Sequence, residues 1–213
     1  MSTLLLQATF DTLRMISLGT LFAFLCGAPI GIILYLTQPQ GLLSKSWIYH
    51  SLSTMINTLR SIPFMILIIA LFPLTRLIVG RSYGVNASIV ALVIGAFPFV
   101  ARLIESSFNS VDPLLIKASQ TMGATPFQII MKVTLVESLP SIIQNIALTM
   151  ITLVGYSAMA GAVGGGGLGD VAIRYGLHRY QTDVMIMTII ILIAIVQIIQ
   201  WIFNYLSHAM DHR

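Results

Sequence analysis

The stretch Asp112–Pro140, DPLLIKASQTMGATPFQIIMKVTLVESLP, decides how the rest of the chain is read. It is the only long segment of mixed polarity in a chain made mostly of apolar runs. Asp112 before Pro113 is an N-cap followed by proline at the first helical position, where the missing N–H has no bond to lose. Leu114, Ala118 and Met122 recur four apart with Leu115 beside them, which makes one apolar stripe. Gly123 stands where a helix ends in the left-handed conformation. Thr125 and Pro126 repeat the start signal and predict a second short helix from Phe127 towards Leu135. The segment 112–138 therefore reads as two short amphipathic helices joined by a glycine elbow outside the bilayer, with a membrane span on each side. Periodicity alone favours an amphipathic segment lying on a lipid surface, and the glycine spacing with a span on each side turns the reading to the elbow.

Composition explains why the flanks must be membrane. Of 213 residues, 57% are hydrophobic and only 8% are charged. Mean hydropathy is +0.93. A soluble domain carries about 25% charged residues, so this chain lacks the polar surface to cover itself. Net charge is +4, but the lysines and arginines are scattered singly. That distribution suits lipid headgroups and excludes a nucleic-acid partner. The one cysteine, Cys26, lies in an apolar run and excludes an internal disulfide. The first apolar stretch is too long, and too poorly preceded by basic residues, for a cleavable signal peptide.

The predicted architecture is all-α, a single transmembrane domain over 1–213 with five spanning helices at about 15–37, 52–78, 86–108, 139–163 and 183–207. Residues 1–14 read as a short surface segment. Gly27, Pro29 and Gly31 kink the first span or admit a close neighbour. Pro63 and Pro73 bend the second, which spans only if Asn57 and Arg60 sit at one interface and Arg76 at the other. Arg102 and Glu105 close the third. Residues 170–182 read as a polar loop. An odd number of spans puts the two termini on opposite sides. Charge does not choose the sides: with 112–138 inside, Lys45, Arg60, Arg102, Lys117, Lys132 and Arg213 fall inside and Arg14, Arg76, Arg81, Arg174 and Arg179 outside.

Several patterns carry no chemistry. Gly164, Gly166 and Gly169 match G-x-G-x-x-G, but no strand precedes them and no acid follows at the required distance. His208 and His212 are spaced for a metal without a third ligand on their face, since Asp211 lies on another side, so they read as a solvated helix end. No nucleophile–base pair is identifiable. Tyr156, Met159 and Val163 share a helix face within the small-residue run 155–163. Before any comparison that face reads as helix packing with a methionine filling a gap.

Three places resemble a known family. Lys117-Ala118-Ser119, Gly123, and Val133 with Leu135 stand at the positions of the cytoplasmic Glu-Ala-Ala coupling loop of ABC-importer permeases. Lys117 replaces the usual acid, and Val136 stands where a proline is usual. Arg60-Ser61-Ile62-Pro63-Phe64 and Tyr156-Ser157-Ala158-Met159, the latter followed by a glycine-rich loop, resemble the methionine-importer branch. For Arg60, a side chain snorkelling to an interface fits the same residues.

The resemblance implies a permease homodimer in the bacterial inner membrane, N-terminus outside and C-terminus inside. It implies a cytosolic ABC ATPase dimer that holds ATP and Mg, and a periplasmic or lipid-anchored methionine-binding protein. The chain itself would have no cofactor, no metal and no catalytic residue. Lys117, Ala118, Ser119, Gly123, Thr125 and Pro126 would couple to the ATPase, and Tyr156, Ser157, Met159 and Val163 would line the translocation gate. A permease for another amino acid or small solute is the alternative. A secondary transporter fits less well, because every acid lies at a span edge or in a loop.

Overall fold

The structure, a computed structural model, describes residues 2–210. Its first helix, α1, runs Ser2–Thr37 without interruption. The segment 1–14 is therefore not a separate surface piece; from Ser2 onward it belongs to the first spanning helix. Leu5, Ala8, Thr12 and Met15 explain this. They continue the buried stripe of the span, and the Thr12 hydroxyl accepts from the backbone N–H of Leu168 at 2.8 Å.

Two glycines set the neighbour of α1. A Cβ on Gly27 would stand 2.6 Å from the Phe97 carbonyl, and one on Gly31 2.5 Å from that of Ala101. Both carbonyls belong to α5, Val85–Asn109. Gly19 lies against Leu92, and Gln38 Nε2 donates to Asn109 Oδ1 at 3.0 Å. Numbers rise together along both helices, so α1 and α5 run parallel. Residues 38–84 must then carry the chain back to the starting side.

That return is broken. It consists of α2 Ser46–Arg60, α3 Phe64–Ala70 and α4 Phe72–Val79. The expected bent helix is thus three pieces, with α2 and α3 turned 96° from each other. Pro63 holds an extended ψ of 130° before α3, and Pro73 stands in the first turn of α4. Arg102 ties the return to α5. Its guanidinium donates to Asn57 Oδ1 at 2.9 Å, to the Ser53 carbonyl at 3.2 Å and to the Ser53 hydroxyl. It also pairs with Glu105 at 2.6 Å. Glu105 is buried and lies on the same helix one turn on, so it holds in place the guanidinium that clasps α2 to α5.

The elbow follows α5. Asp112 Oδ1 accepts from Leu114 N at 2.8 Å and starts α6, Pro113–Thr121. Gly123 turns at φ +79°. Thr125 and Gln128 form a reciprocal capping box at the head of α7, Pro126–Ile129. The expected break at Leu139–Pro140 does not occur. A π-helical segment, Ile130–Thr134, leads directly into α8, Leu135–Ala162. Proline removes one intrahelical hydrogen bond but need not end a helix, and the Pro140 carbonyl receives the Ser207 hydroxyl at 3.1 Å. The second elbow helix is therefore the near end of the fourth spanning helix. Asn145 fastens α8 antiparallel to α5, donating to the Ser107 hydroxyl at 2.6 Å and to the Leu103 carbonyl at 3.3 Å.

Beyond α8 the glycine run folds back. Gly164, Gly166 and Gly167 all take positive φ. A Cβ on Gly161 would meet Asp170 N at 2.2 Å, and one on Gly169 would meet the Ala158 backbone at 2.5 Å. This packs α9, Gly167–Val171, onto α8, and a second π segment extends helix to Leu177. Most of 170–182, expected as loop, is thus helical. Its apolar anchors Leu168 and Val171 are buried, and Asp170 pairs with Arg174 one turn on. The last helix, α10, runs Thr182–Met210. Asp211, His212 and Arg213 lie outside the described residues.

Among the described residues, α1, α5, α7 through α8, and α10 are long and apolar enough to cross a membrane, and α2 with α3 makes a broken fifth crossing. The elbow and the end of α10 share one end of the bundle. The start of α1 and the glycine run share the other.

Candidate translocation site and coupling elbow

The elbow presents apolar side chains to solvent. Leu114, Met122 and Phe127 are 69%, 87% and 73% exposed. Lys117 and Ala118 are exposed beside them, and Ser119 returns its hydroxyl to the Leu115 carbonyl at 2.8 Å. No residue of α6 is buried. A concavity of about 360 Å³ lies under the turn, with Met122, Gly123, Gln128 and Lys132 on its wall. Lys117 lines a different cavity, of about 340 Å³, with Tyr35, Gln38, Asn109 and Gln120. Gln128 went unnoticed in the sequence reading, although Thr-x-x-Gln is a capping-box pattern.

The other expected group lies on α8. Leu148, Thr152, Gly155, Met159 and Ala162 alternate at spacings of four and three and leave one face open. Met159 is 46% exposed there, and Gly155 has only open space before it. Val163 is half-buried at the end of the helix. Ser157 is not on this face. It is 2% exposed, and its hydroxyl donates to the Val154 carbonyl at 2.8 Å. Spacing explains the correction: residue 157 is two positions from 155 and 159, so it turns to the opposite side.

Tyr156 reaches sideways. Its ring stacks on Phe64, centroids 4.3 Å apart and planes at 3°. The structure thus joins two of the three stretches singled out in the sequence. Between them is a cavity of about 260 Å³ lined by Arg60, Phe64, Phe99, Thr152 and Tyr156, among others. The Arg60 guanidinium lies 5.8 Å from the centre of the Phe99 ring. Phe99 and Thr152 carried no sequence signal, because only the tertiary fold brings α5, α8 and the broken return together. Among the described residues, no cluster of three or more His, Cys, Asp or Glu side chains is placed to hold a metal.

The family described as "Binding-protein-dependent transport system inner membrane component" matches residues 27–212. The chain belongs to that family. It is a multi-pass inner-membrane transport component. A relative described as "Probable D-methionine transport system permease protein MetI", from Vibrio cholerae serotype O1, is 52% identical over 212 residues, covering 100% of this chain and 94% of the relative. A protein of the same description from Pasteurella multocida is 45% identical over 206 residues, covering 97% and 95%.

A solved structure of the MetNI methionine ABC transporter, in inward-facing conformation, superposes with a TM-score of 0.98. The two are 42% identical, and the match covers 100% of this chain and 98% of that one. An amino acid ABC transporter crystallised with histidines is only 18% identical at a TM-score of 0.80, over 98% and 94% of the chains, and shares the fold. For this inner-membrane component, the shaft from Pro126 to Ala162 spans the distance between the elbow and the open face of α8.

Proposed function

We propose that this chain is the permease of an ATP-driven methionine importer, acting whole as one permease domain in a homodimer. Two cytosolic ATPase subunits would hold ATP and Mg, and a periplasmic or lipid-anchored protein would deliver methionine. The observation that carries the reading is the full-length likeness to the MetNI structure and to relatives named for D-methionine transport. The elbow's shape supports it. Leu114, Met122 and Phe127 have no cover in the protomer, and burying each in an ATPase groove would contribute about 2 kcal/mol.

The mechanism follows from continuity. ATP binding draws the ATPase pair together, and each elbow moves with its groove. Lys117, Ala118 and Ser119 ride on α6; Gly123 turns the chain; Thr125 and Pro126 start the shaft. Because α7 joins α8 without a break, the movement reaches the middle of the membrane as a displacement of one rod. Met159, with Tyr156 and Val163 around it, meets its mate across the dimer axis. A thioether is a soft plug that repacks as the rods separate. Hydrolysis on the partner resets the cycle, a coupling of two sites through a two-state element. The elbow lies inside, so the N-terminus is outside and the C-terminus inside.

Two experiments test this. Purified in mild detergent with its genomic neighbours, the chain is expected to bring down an ABC ATPase at one-to-one stoichiometry. A chain that purifies alone in every detergent contradicts the reading. Met159→Cys is expected to give a disulfide-linked dimer under mild oxidation, with a yield that changes between nucleotide-free and ATP-bound states. No cross-link in either state would remove Met159 from the axis.

A further inference from the structure

Arg60 is a charged group in a cavity wall that the coupling cycle leaves unused. It ends α2, where the return through the membrane breaks by 96°. Depth argues against snorkelling. Its guanidinium sits over Phe99, ten residues before the end of α5 and fourteen after its start. At 1.5 Å per residue that is about 15 and 21 Å from the two ends of this spanning helix, well inside it. A cation at that depth is costly unless paired or hydrated. Among the described residues, the ion pairs of Arg102 and Arg174 are with Glu105 and Asp170, and Arg60 is in neither. Broken backbone at such depth is tolerated where it lines a cavity, and discontinuous spans are where transporters hold their cargo.

We infer that the cavity between Arg60, Phe64, Phe99, Thr152 and Tyr156 is a transit site for a zwitterionic amino acid, with Arg60 as its carboxylate receptor. This rests on the importer reading above. The chemistry is complementary at three points. Arg60 offers a fork of N–H donors to the α-carboxylate. The Thr152 hydroxyl already donates to the Leu148 carbonyl at 2.8 Å, so it presents a lone pair to the ammonium. The stacked Phe64 and Tyr156 rings offer an apolar wall that suits a thioether. The cavity, about 260 Å³, is sized for one amino acid and not for a peptide.

The test is equilibrium binding of radiolabelled methionine to the permease–ATPase complex without its binding protein, in phosphatidylcholine nanodiscs. Competition by methionine is compared with competition by methionine amide, which lacks the carboxylate. Wild type is expected to prefer methionine at least about tenfold, equal to ~1.4 kcal/mol. Arg60→Gln is expected to bring that ratio near one, and Arg60→Lys to restore part of it. Equal competition by the two ligands in wild type overturns the site without touching the importer reading. So does an Arg60→Gln complex that keeps the full preference. Nanodiscs with added phosphatidylglycerol separate a lipid headgroup from cargo: if the anionic lipid abolishes methionine binding in wild type but not in Arg60→Gln, Arg60 serves lipid and the proposal fails. Wild-type complex that takes up no amino acid with ATP and binding protein overturns both readings.

Discussion

Gly123→Val is expected to uncouple the elbow while leaving the protein inserted in the membrane. Gly123 holds φ at +79°, and a Cβ there would meet nothing within 4 Å. The cost is therefore conformational and not steric, about 1–2 kcal/mol for an L-residue and more for a β-branched one. The elbow has little to resist that cost, because α6 buries none of its residues. The turn would relax, and α6 would swing relative to the capped start of α7. ATP-driven uptake should fall on the order of tenfold or more, an energy of ~1.4 kcal/mol in coupling. Membrane yield should stay near that of wild type. Gly123→Asn should keep most of the uptake, since asparagine tolerates the left-handed region. Paired assays of uptake and of ATP hydrolysis check this. Full uptake in Gly123→Val would remove the elbow from the coupling path.

Gly31→Val should instead damage the fold. Its new Cβ would stand 2.5 Å from the Ala101 carbonyl and 2.8 Å from Ile104 Cβ. Backbone oxygen cannot step aside as a flexible side chain can, so α1 and α5 must separate. Overpacking costs about 1–3 kcal/mol where side chains yield and more where backbone must. Close small-residue contact is also the attraction that holds helices together in lipid. Gly27→Val should act alike through the Phe97 carbonyl, 2.6 Å away. Thermal unfolding in detergent should show both losing several degrees or failing to accumulate. Gly155→Ala, facing open space, is the control and should change little.

The elements legible in the sequence were those written in local chemistry. Asp112-Pro113, Gly123 and Thr125-Pro126 each act within one turn of helix, and the structure bears each as drawn. Pro63 likewise marked the break in the return. The misreadings were places where tertiary contact overrides a local signal. Pro140 looked like a helix start, but helix runs through it from Pro126 to Ala162, since a proline removes one hydrogen bond without ending a helix that packing holds on both sides. Residues 170–177 looked polar, but Leu168 and Val171 anchor them against α1 and α8. The segment 1–14 looked like surface, but its apolar stripe is in phase with the span that follows.

The site divided in the same way. The elbow residues are contiguous, so spacing could assemble them. The cavity at Arg60 could not be seen that way. Arg60, Phe99, Thr152 and Tyr156 lie on α2, α5 and α8, and no period along the chain links them. Ser157 shows the limit of reading a motif as a unit, because helical residues two apart, such as Ser157 and Met159, face nearly opposite ways.

The central claim is that ATP, spent on a partner and transmitted through the elbow, drives methionine across this chain. The most direct measurement is uptake of radiolabelled methionine into proteoliposomes carrying the chain and its ATPase, with binding protein on one side and ATP on the other. The account predicts accumulation against a gradient that requires ATP and disappears in Gly123→Val. Accumulation without ATP, driven by an imposed ion gradient, would contradict it.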